Sequence, residues 1–418
     1  MTEKVCSECG RTYKQNQPEA RFYRGNAIVI ASGNAIKGFG GGIISTYVPL
    51  YFVRIGGDPV TLGLMTSVSA IIQCFVLFLG GFIADHYGRR RIMVLAAFYS
   101  VLLPLLYATV QDWQIFVVSS IIAAVGVVSD PASHAIVADS ISPERRTTGI
   151  ASLQVFSSLP VIFGPLVGGW LVSNYGVFDG FRLACIYTAL TALASALVLF
   201  LFLKETMLGR ISGKQKLLSK NVLRDYTRDL TQLPSSLKAL LISYALVVFA
   251  NGLVGRYYIL YATTIIGLTE LEWGMIVSLQ FLLANVLKIP GGCVSDRFGK
   301  RKVMILSVLT CAPCTVIFVL SQSFLQATAA ALLLIATGIY YAPAHEALQA
   351  DLTPKAVRGR IMAIWGIGNA VSLALGALVG GFLFQKVGSA TPFYLFTVTE
   401  LIAVFLIIST AKKPENRV

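Results

Sequence analysis

Eight ionisable side chains stand inside long apolar runs of this sequence: Lys37, Asp130, His134, Arg256, Lys288, His345, Glu346 and Glu400. A charge at mid-membrane depth costs about 2.5 to 3.5 kcal/mol on insertion scales, so each needs a task or a partner. Asp130 and His134 are four residues apart, which on a helix puts them on one face within bonding reach. His345 and Glu346 form a second titratable group. Lys37 and Arg256 either hold an anionic solute or neutralise Asp130 and Glu346. Neutralisation is favoured, because an unpaired buried charge is costly. Catalysis is not expected. The three histidines are dispersed, with His86 in a basic turn and the other two far apart in the chain. No nucleophile–base cluster and no zincin, P-loop or dinucleotide motif is visible. The reading is therefore a non-enzyme without cofactor or metal.

The elements that must position these residues are membrane helices. The chain of 418 residues is 56% hydrophobic and only 13% charged, against about 25% charged in an average soluble domain. Twelve apolar spans are read at 26–53, 60–84, 92–110, 113–138, 148–173, 182–203, 237–261, 272–295, 303–320, 324–350, 360–386 and 391–411. Backbone polar groups in lipid must be satisfied within their own segment, so the spans are predicted as helices. The polar first 25 residues resemble no cleavable leader, which makes span 1 its own insertion signal. Five units follow: a tail (1–25), six helices (26–203), a polar basic linker (204–236), six more helices (237–411) and a second tail (412–418).

The net charge of +14 invites a nucleic-acid partner, but its distribution argues otherwise. If the N-terminus is inside, 28 of the 34 Lys and Arg fall in segments on the same side of the membrane. This is the positive-inside pattern, and it predicts a multi-pass protein of the cell membrane with both termini cytoplasmic. Of the seven cysteines, five lie in spans as small apolar packing. Cys6 and Cys9 are half of a zinc-binding pattern with no second half, and are read as incidental.

The chain repeats itself. "GGFIADHYGRRRIM" (80–93) returns as "GGCVSDRFGKRKVM" (291–304), "DPASHAIVAD" (130–139) as "APAHEALQAD" (342–351), and "GPLVGGWL" (164–171) as "GALVGGFL" (376–383). Three matches at a nearly constant offset indicate a duplicated six-helix unit. Six is even, so the copies run parallel, related by an axis along the membrane normal.

The doubled turn is similar to the signature of the major facilitator superfamily. It is carried by Gly81, Asp85, Gly88, Arg89 and Arg90, and again by Gly292, Asp296, Arg297, Gly299, Lys300 and Arg301. His86 replaces a usual basic residue in the first copy. The resemblance covers nearly the whole chain. It implies an all-α membrane fold of twelve helices in two six-helix repeats, working by alternating access. It also implies that spans 1, 4, 7 and 10 line a central cavity, and six of the eight intramembrane charges fall there. Asp85 and Asp296 would then latch the halves on the cytoplasmic side, against the alternative that they only shape a turn. Glu346, then Asp130, are the candidate proton carriers, with His134 and His345 as titratable neighbours; a fixed structural ion pair is the alternative. Asn34, Asn251, Tyr47 and Tyr257 join Lys37 and Arg256 as candidate cavity contacts. Lys288 is placed near an aqueous end, and Glu400 has no assigned role.

In span 5, Gly164, Pro165, Gly168 and Gly169 resemble the core of an exporter motif, although its upstream glycine is Pro160 here. The expected function is secondary active transport of a small organic solute, proton-coupled and directed outward, by a monomer in the lipid bilayer. The alternatives are an uptake symporter for a metabolite or organic anion, and a non-transporting receptor or scaffold.

Overall fold

The computed structural model describes residues 3–5, 12–14, 25–141, 146–206, 235–353 and 358–409. The Cys6–Cys9 pair, most of the linker and the C-terminal tail lie outside the described residues. A short antiparallel hairpin, β1 (Glu3–Val5) with β2 (Thr12–Lys14), stands in the N-terminal tail. Everything else regular is helical.

The spans are α1 (Gly25–Arg54), α2 (Pro59–Ala84), α3 (Arg89–Thr109), α4 (Trp113–Asp139), α7 (Leu237–Ile266), α8 (Glu270–Lys288), α9 (Lys300–Val319), α10 (Phe324–Gln349), α11 (Ile364–Val387) and α12 (Thr391–Ile408). One further apolar stretch, Ser152–Phe202, is 51 residues long. At 1.5 Å per residue it would reach about 75 Å, more than twice a bilayer core, so it must be two crossings. Gly176, at φ 78° and ψ 166°, breaks it, giving α5 (152–175) and α6 (177–202). Twelve crossings result. The sequence placed a loop between 173 and 182; instead a single residue makes the reversal, because glycine alone adopts that backbone without strain.

The repeat extends to the smallest details. Asp58 caps α2 and Thr269 caps α8, each in a reciprocal capping box, with Thr61 and Glu272. Each box satisfies backbone donors that would otherwise be orphaned at a helix start. The α2 helix continues past its span to Tyr87 and the α8 helix to Phe298. Each then reverses at a glycine in the left-handed half of backbone space, Gly88 (φ 96°) and Gly299 (φ 91°). In the turns that follow, Arg90 donates to the carbonyls of Phe200 (2.9 Å) and Leu203 (2.6 Å) at the end of α6. Arg301 donates in the same way to Ile407 and Ile408 at the end of α12. A cation at a helix C-terminus satisfies orphan carbonyls and opposes the helix dipole.

Within the first six helices, α1 packs on α6 and α3 on α6; within the second six, α7 packs on α11 and α12. The two sets meet through α2 against α11 and α5 against α8. Opposite the basic turns, an aromatic core gathers Tyr51, Phe52, Phe116, Phe181, Tyr261, Phe318 and Phe393. Tyr51 donates to the Val110 carbonyl (2.7 Å) and Tyr261 to the Val319 carbonyl (3.0 Å), capping the ends of α3 and α9 alike.

Candidate functional site

The four helices that carry most of the intramembrane charge are all interrupted, and in α4, α7 and α10 the break lies close to the charge. The α4 helix passes through a 3-10 segment, Val125–Ser129, and restarts at Asp130. The α10 helix stops at Gly338 and restarts at Tyr341, just before His345 and Glu346. Turns break α1 at Tyr47 and α7 around Gly255–Tyr257. Irregular backbone at membrane depth is tolerated where it is buried in protein or lines a wet cavity.

Lys37, Asp130 and His134 form one group. All three are exposed, and Asp130 has both Lys37 and His134 as its charged neighbours. They do not close into an ion pair; the attraction is through space. Asn34 is exposed one helical turn from Lys37, and Asn251 is exposed on α7, bonded back to the Val247 carbonyl (2.8 Å). Glu346 is also exposed, and its charge is felt by Tyr244. His345, the adjacent residue, turns the other way and is 1% exposed. Tyr244 stacks on its ring at 3.9 Å and Trp365 meets it edge-on at 5.0 Å. His345 is thus a packing residue of the second bundle and not a cavity contact. Glu400, which the sequence left without a role, is 3% exposed. It lies within electrostatic reach of Tyr258 on α7, Cys311 on α9 and Tyr341 on α10.

The two tyrosines expected to face the cavity do not. Tyr47 and Tyr257 are 1% and 0% exposed. The Tyr47 hydroxyl donates to the carbonyls of Pro165 on α5 (2.8 Å) and Glu270 at the start of α8 (3.1 Å). The Tyr257 hydroxyl donates to Ala377 on α11 (2.8 Å) and Pro59 at the start of α2 (3.3 Å). Each tyrosine therefore ties its own half to the other half.

Four glycines let the backbones come that close. A Cβ at Gly381 would stand 2.2 Å from the Pro59 carbonyl oxygen, and one at Gly63 would stand 2.4 Å from that of Ala377. Across the other seam, a Cβ at Gly169 would stand 2.7 Å from the Glu270 oxygen, and one at Gly274 would stand 2.5 Å from that of Pro165. The span 5 motif is thereby explained. Gly164 and Gly168 seat α5 on α1, and Gly169 seats it on α8. Small residues at such contacts are how membrane helices gain close packing.

Among the described residues, the hydrogen bonds joining the halves run from the loop end opposite the basic turns to mid-depth. Asp58 and Val60 meet Gln385, Ser67 meets the Ala374 carbonyl (2.5 Å), and Ser158 meets Asn285. At the basic end, Arg89 pairs with Asp139 at 2.8 Å within the first half. The helical positions of Asp85 and Asp296 are described, but their side chains are not.

One cavity of about 220 Å³ lies between α1, α7, α8, α9 and α10 on the mid-depth side of the tyrosine seams. Arg256 lines it, with Trp273, Gln280 and Phe318 among its walls. Arg256 is not neutralised by either acid. Its electrostatic neighbours are the hydroxyls of Tyr107 and Tyr257.

Known proteins match this architecture. The family model described as Major Facilitator Superfamily matches residues 30–239 and again 240–418. A multidrug resistance protein, MdtG, of Proteus mirabilis (strain HI4320) is 24% identical over 398 residues, covering 90% of this chain and 94% of its own. Among solved structures, a POT family transporter in complex with 5-aminolevulinic acid superposes with a TM-score of 0.75 at 14% identity, covering 93% of this chain and 96% of its own. The human organic anion transporter MFSD10 (TETRAN) superposes at 0.65 and 20% identity, covering 91% and 98%.

Proposed function

Because the chain belongs to the major facilitator superfamily, we propose that it exports small organic solutes in exchange for protons, by alternating access. That it is a membrane transporter follows from the family; direction, coupling and orientation are the proposal. The basic turns lie on the cytoplasmic side under the positive-inside rule, which puts both termini there and the tyrosine seams on the outer side. The tails (1–25 and 412–418) and the 204–236 linker are then cytoplasmic, and the two halves (26–203 and 237–411) rock as units in a monomer.

The observation that carries this reading is the one-sided closure. Among the described residues, the hydrogen bonds seen between the halves reach from the seam end to mid-depth, while Lys37, Asp130, His134 and Glu346 are exposed beyond them. That is the arrangement of an inward-facing state, loaded from the cytoplasm. Asp85 and Asp296 serve as the latch of the opposite state, meeting helix N-termini when the cytoplasmic side closes. Glu346 is the proton site, since among the described residues it makes no ion pair, whereas Asp130 has Lys37 for compensation. A proton drives the cycle only if its site differs between the two states. Export is supported by the MdtG relatives, which are named for multidrug resistance.

The test is flux in proteoliposomes across an imposed pH gradient, with a panel of cationic, neutral and anionic aromatic solutes. The proposal expects gradient-driven movement of at least one class. No flux of any class by verified, correctly folded protein contradicts it.

A further inference from the structure

Arg256 stands out among the intramembrane charges. It is a permanent cation at membrane depth, where an unpaired charge is expensive and needs a reason. It makes no ion pair or hydrogen bond among the described residues, and neither Asp130 nor Glu346 is among its electrostatic neighbours. Asp130 has Lys37 and His134 as neighbours, and Glu346 lies beside Tyr244. The groups nearest Arg256 in charge terms are two phenols, neither of them an anion at neutral pH.

The Arg256 side chain is exposed, and what it is exposed to is a cavity with defined walls. It lines the 220 Å³ cavity together with the aromatic rings of Trp273, Tyr258 and Phe318. Gln280, on the same wall, spends an amide hydrogen on the Ala331 carbonyl (3.0 Å), which holds the side chain in place. Ser45 and Thr46 supply hydroxyls from α1, in the other half. A planar fork of donors matches a carboxylate or sulfonate edge-on, and flat aromatic walls match a ring. The volume is below the roughly 300 to 1,000 Å³ of sites for drug-sized ligands, which suits a small, single-ring occupant.

We propose that the Arg256 cavity is a subsite for the acid end of a single-ring aromatic anion, the anion supplying the counter-charge that the protein withholds. This rests on the carrier reading above and gives it a substrate class. Because α1 supplies part of one wall and α7 to α10 the rest, the occupant touches both halves. It therefore senses the rocking that separates them.

The experiment is equilibrium binding to the purified full-length protein in lipid nanodiscs, read by quenching of tryptophan fluorescence with Trp273 as the reporter in the wall. The probes are benzoate, benzenesulfonate, benzamide and benzylamine, which share a ring and differ in charge. The proposal expects the two anions to bind at least roughly tenfold more tightly than benzamide or benzylamine, the scale of a charge-assisted contact. Arg256→Gln should remove that preference and Arg256→Lys should keep part of it. Thr46→Glu, which places a carboxylate at the cavity wall, should abolish anion binding without touching the arginine. Equal binding of benzoate and benzylamine by the wild-type protein overturns the proposal, and that comparison needs no variant to fold. Unchanged benzoate affinity in Arg256→Gln overturns it as well. Anion binding without flux in the proteoliposomes would sink the carrier reading and leave the subsite standing; flux of cations without anion binding would do the reverse.

Discussion

Tyr47 and Tyr257, 210 positions apart, make the same contact from opposite sides of the molecule. Each donates one hydroxyl to two carbonyls, one in its own half and one at the first turn of a helix in the other half. The two seams are related by the internal repeat, so neither half is hinge or lid alone. Both seams are closed in this structure.

Removing the hydroxyls should therefore loosen the outer seam without unfolding either bundle. Each Tyr→Phe change removes a buried hydroxyl whose single hydrogen is shared between two carbonyls, worth about 1 to 2 kcal/mol. Tyr47→Phe and Tyr257→Phe should each widen the distance distribution between spin labels on the outer loops, and the double variant more than either. An unaltered distribution in the double variant would show that backbone packing alone holds the seam.

The glycines test that packing directly. Alanine at Gly381 or Gly63 puts a Cβ within van der Waals overlap of a backbone carbonyl across the seam, and backbone cannot move aside as a side-chain tip can. Gly381→Ala and Gly63→Ala should shift labelled protein toward the outward-open state and slow transport roughly tenfold. Gly41→Ala has nothing within 4 Å of the new atom and should transport normally. A full-rate Gly381 variant would mean that the seam never closes this tightly during the cycle.

Asp58 adds a pH dependence to the same end. Burial alone would raise its pKa, but hydrogen bonds from Thr61 and Gln385 and the charge of Lys386 outweigh this and hold it below the usual carboxylate value. A depressed folded-state pKa contributes stability that is present above the unfolded value, about 3.9, and is lost as pH falls through the folded one. Outer-seam distances should thus stay constant from neutral pH down to about 4 and widen below it. Asp58→Asn should be insensitive to pH over the same range. Widening of the wild-type seam near neutrality would assign the effect to another group.

Much of this was legible in the sequence, for physical reasons that also mark the limit. A membrane helix shows as a charge-free run, so the spans could be read directly, and Gly88 and Gly299 announced their reversals by standing between a helix and a basic cluster. The direction in which a side chain points was not legible. His345 and Glu346 are adjacent, yet a helix turns about 100° per residue, and one is packed under Tyr244 while the other is exposed. Tyr47 and Tyr257 read as polar groups on cavity helices because the sequence does not show which carbonyls a phenol will meet. A signal was available in hindsight: Tyr47 with Tyr257, Gly63 with Gly274 and Gly169 with Gly381 all recur at nearly the repeat offset. Glu400 could be recognised as costly but not placed, since its neighbours come from α7, α9 and α10, distant in sequence.

The central claim is that a proton at Glu346 drives the carrier, and one comparison addresses it most directly. Proteoliposomes containing wild-type protein or Glu346→Gln are assayed for movement of the same solute in two modes, driven by a pH gradient and by solute exchange at equal pH. Glutamine keeps the shape of the protonated acid but cannot release a proton. The account predicts that Glu346→Gln loses the gradient-driven mode by at least roughly tenfold, the scale on which a positioned proton-transfer group acts, while exchange stays within about twofold of wild type. A glutamine variant that follows the pH gradient as wild type does would contradict it and move the proton site to Asp130.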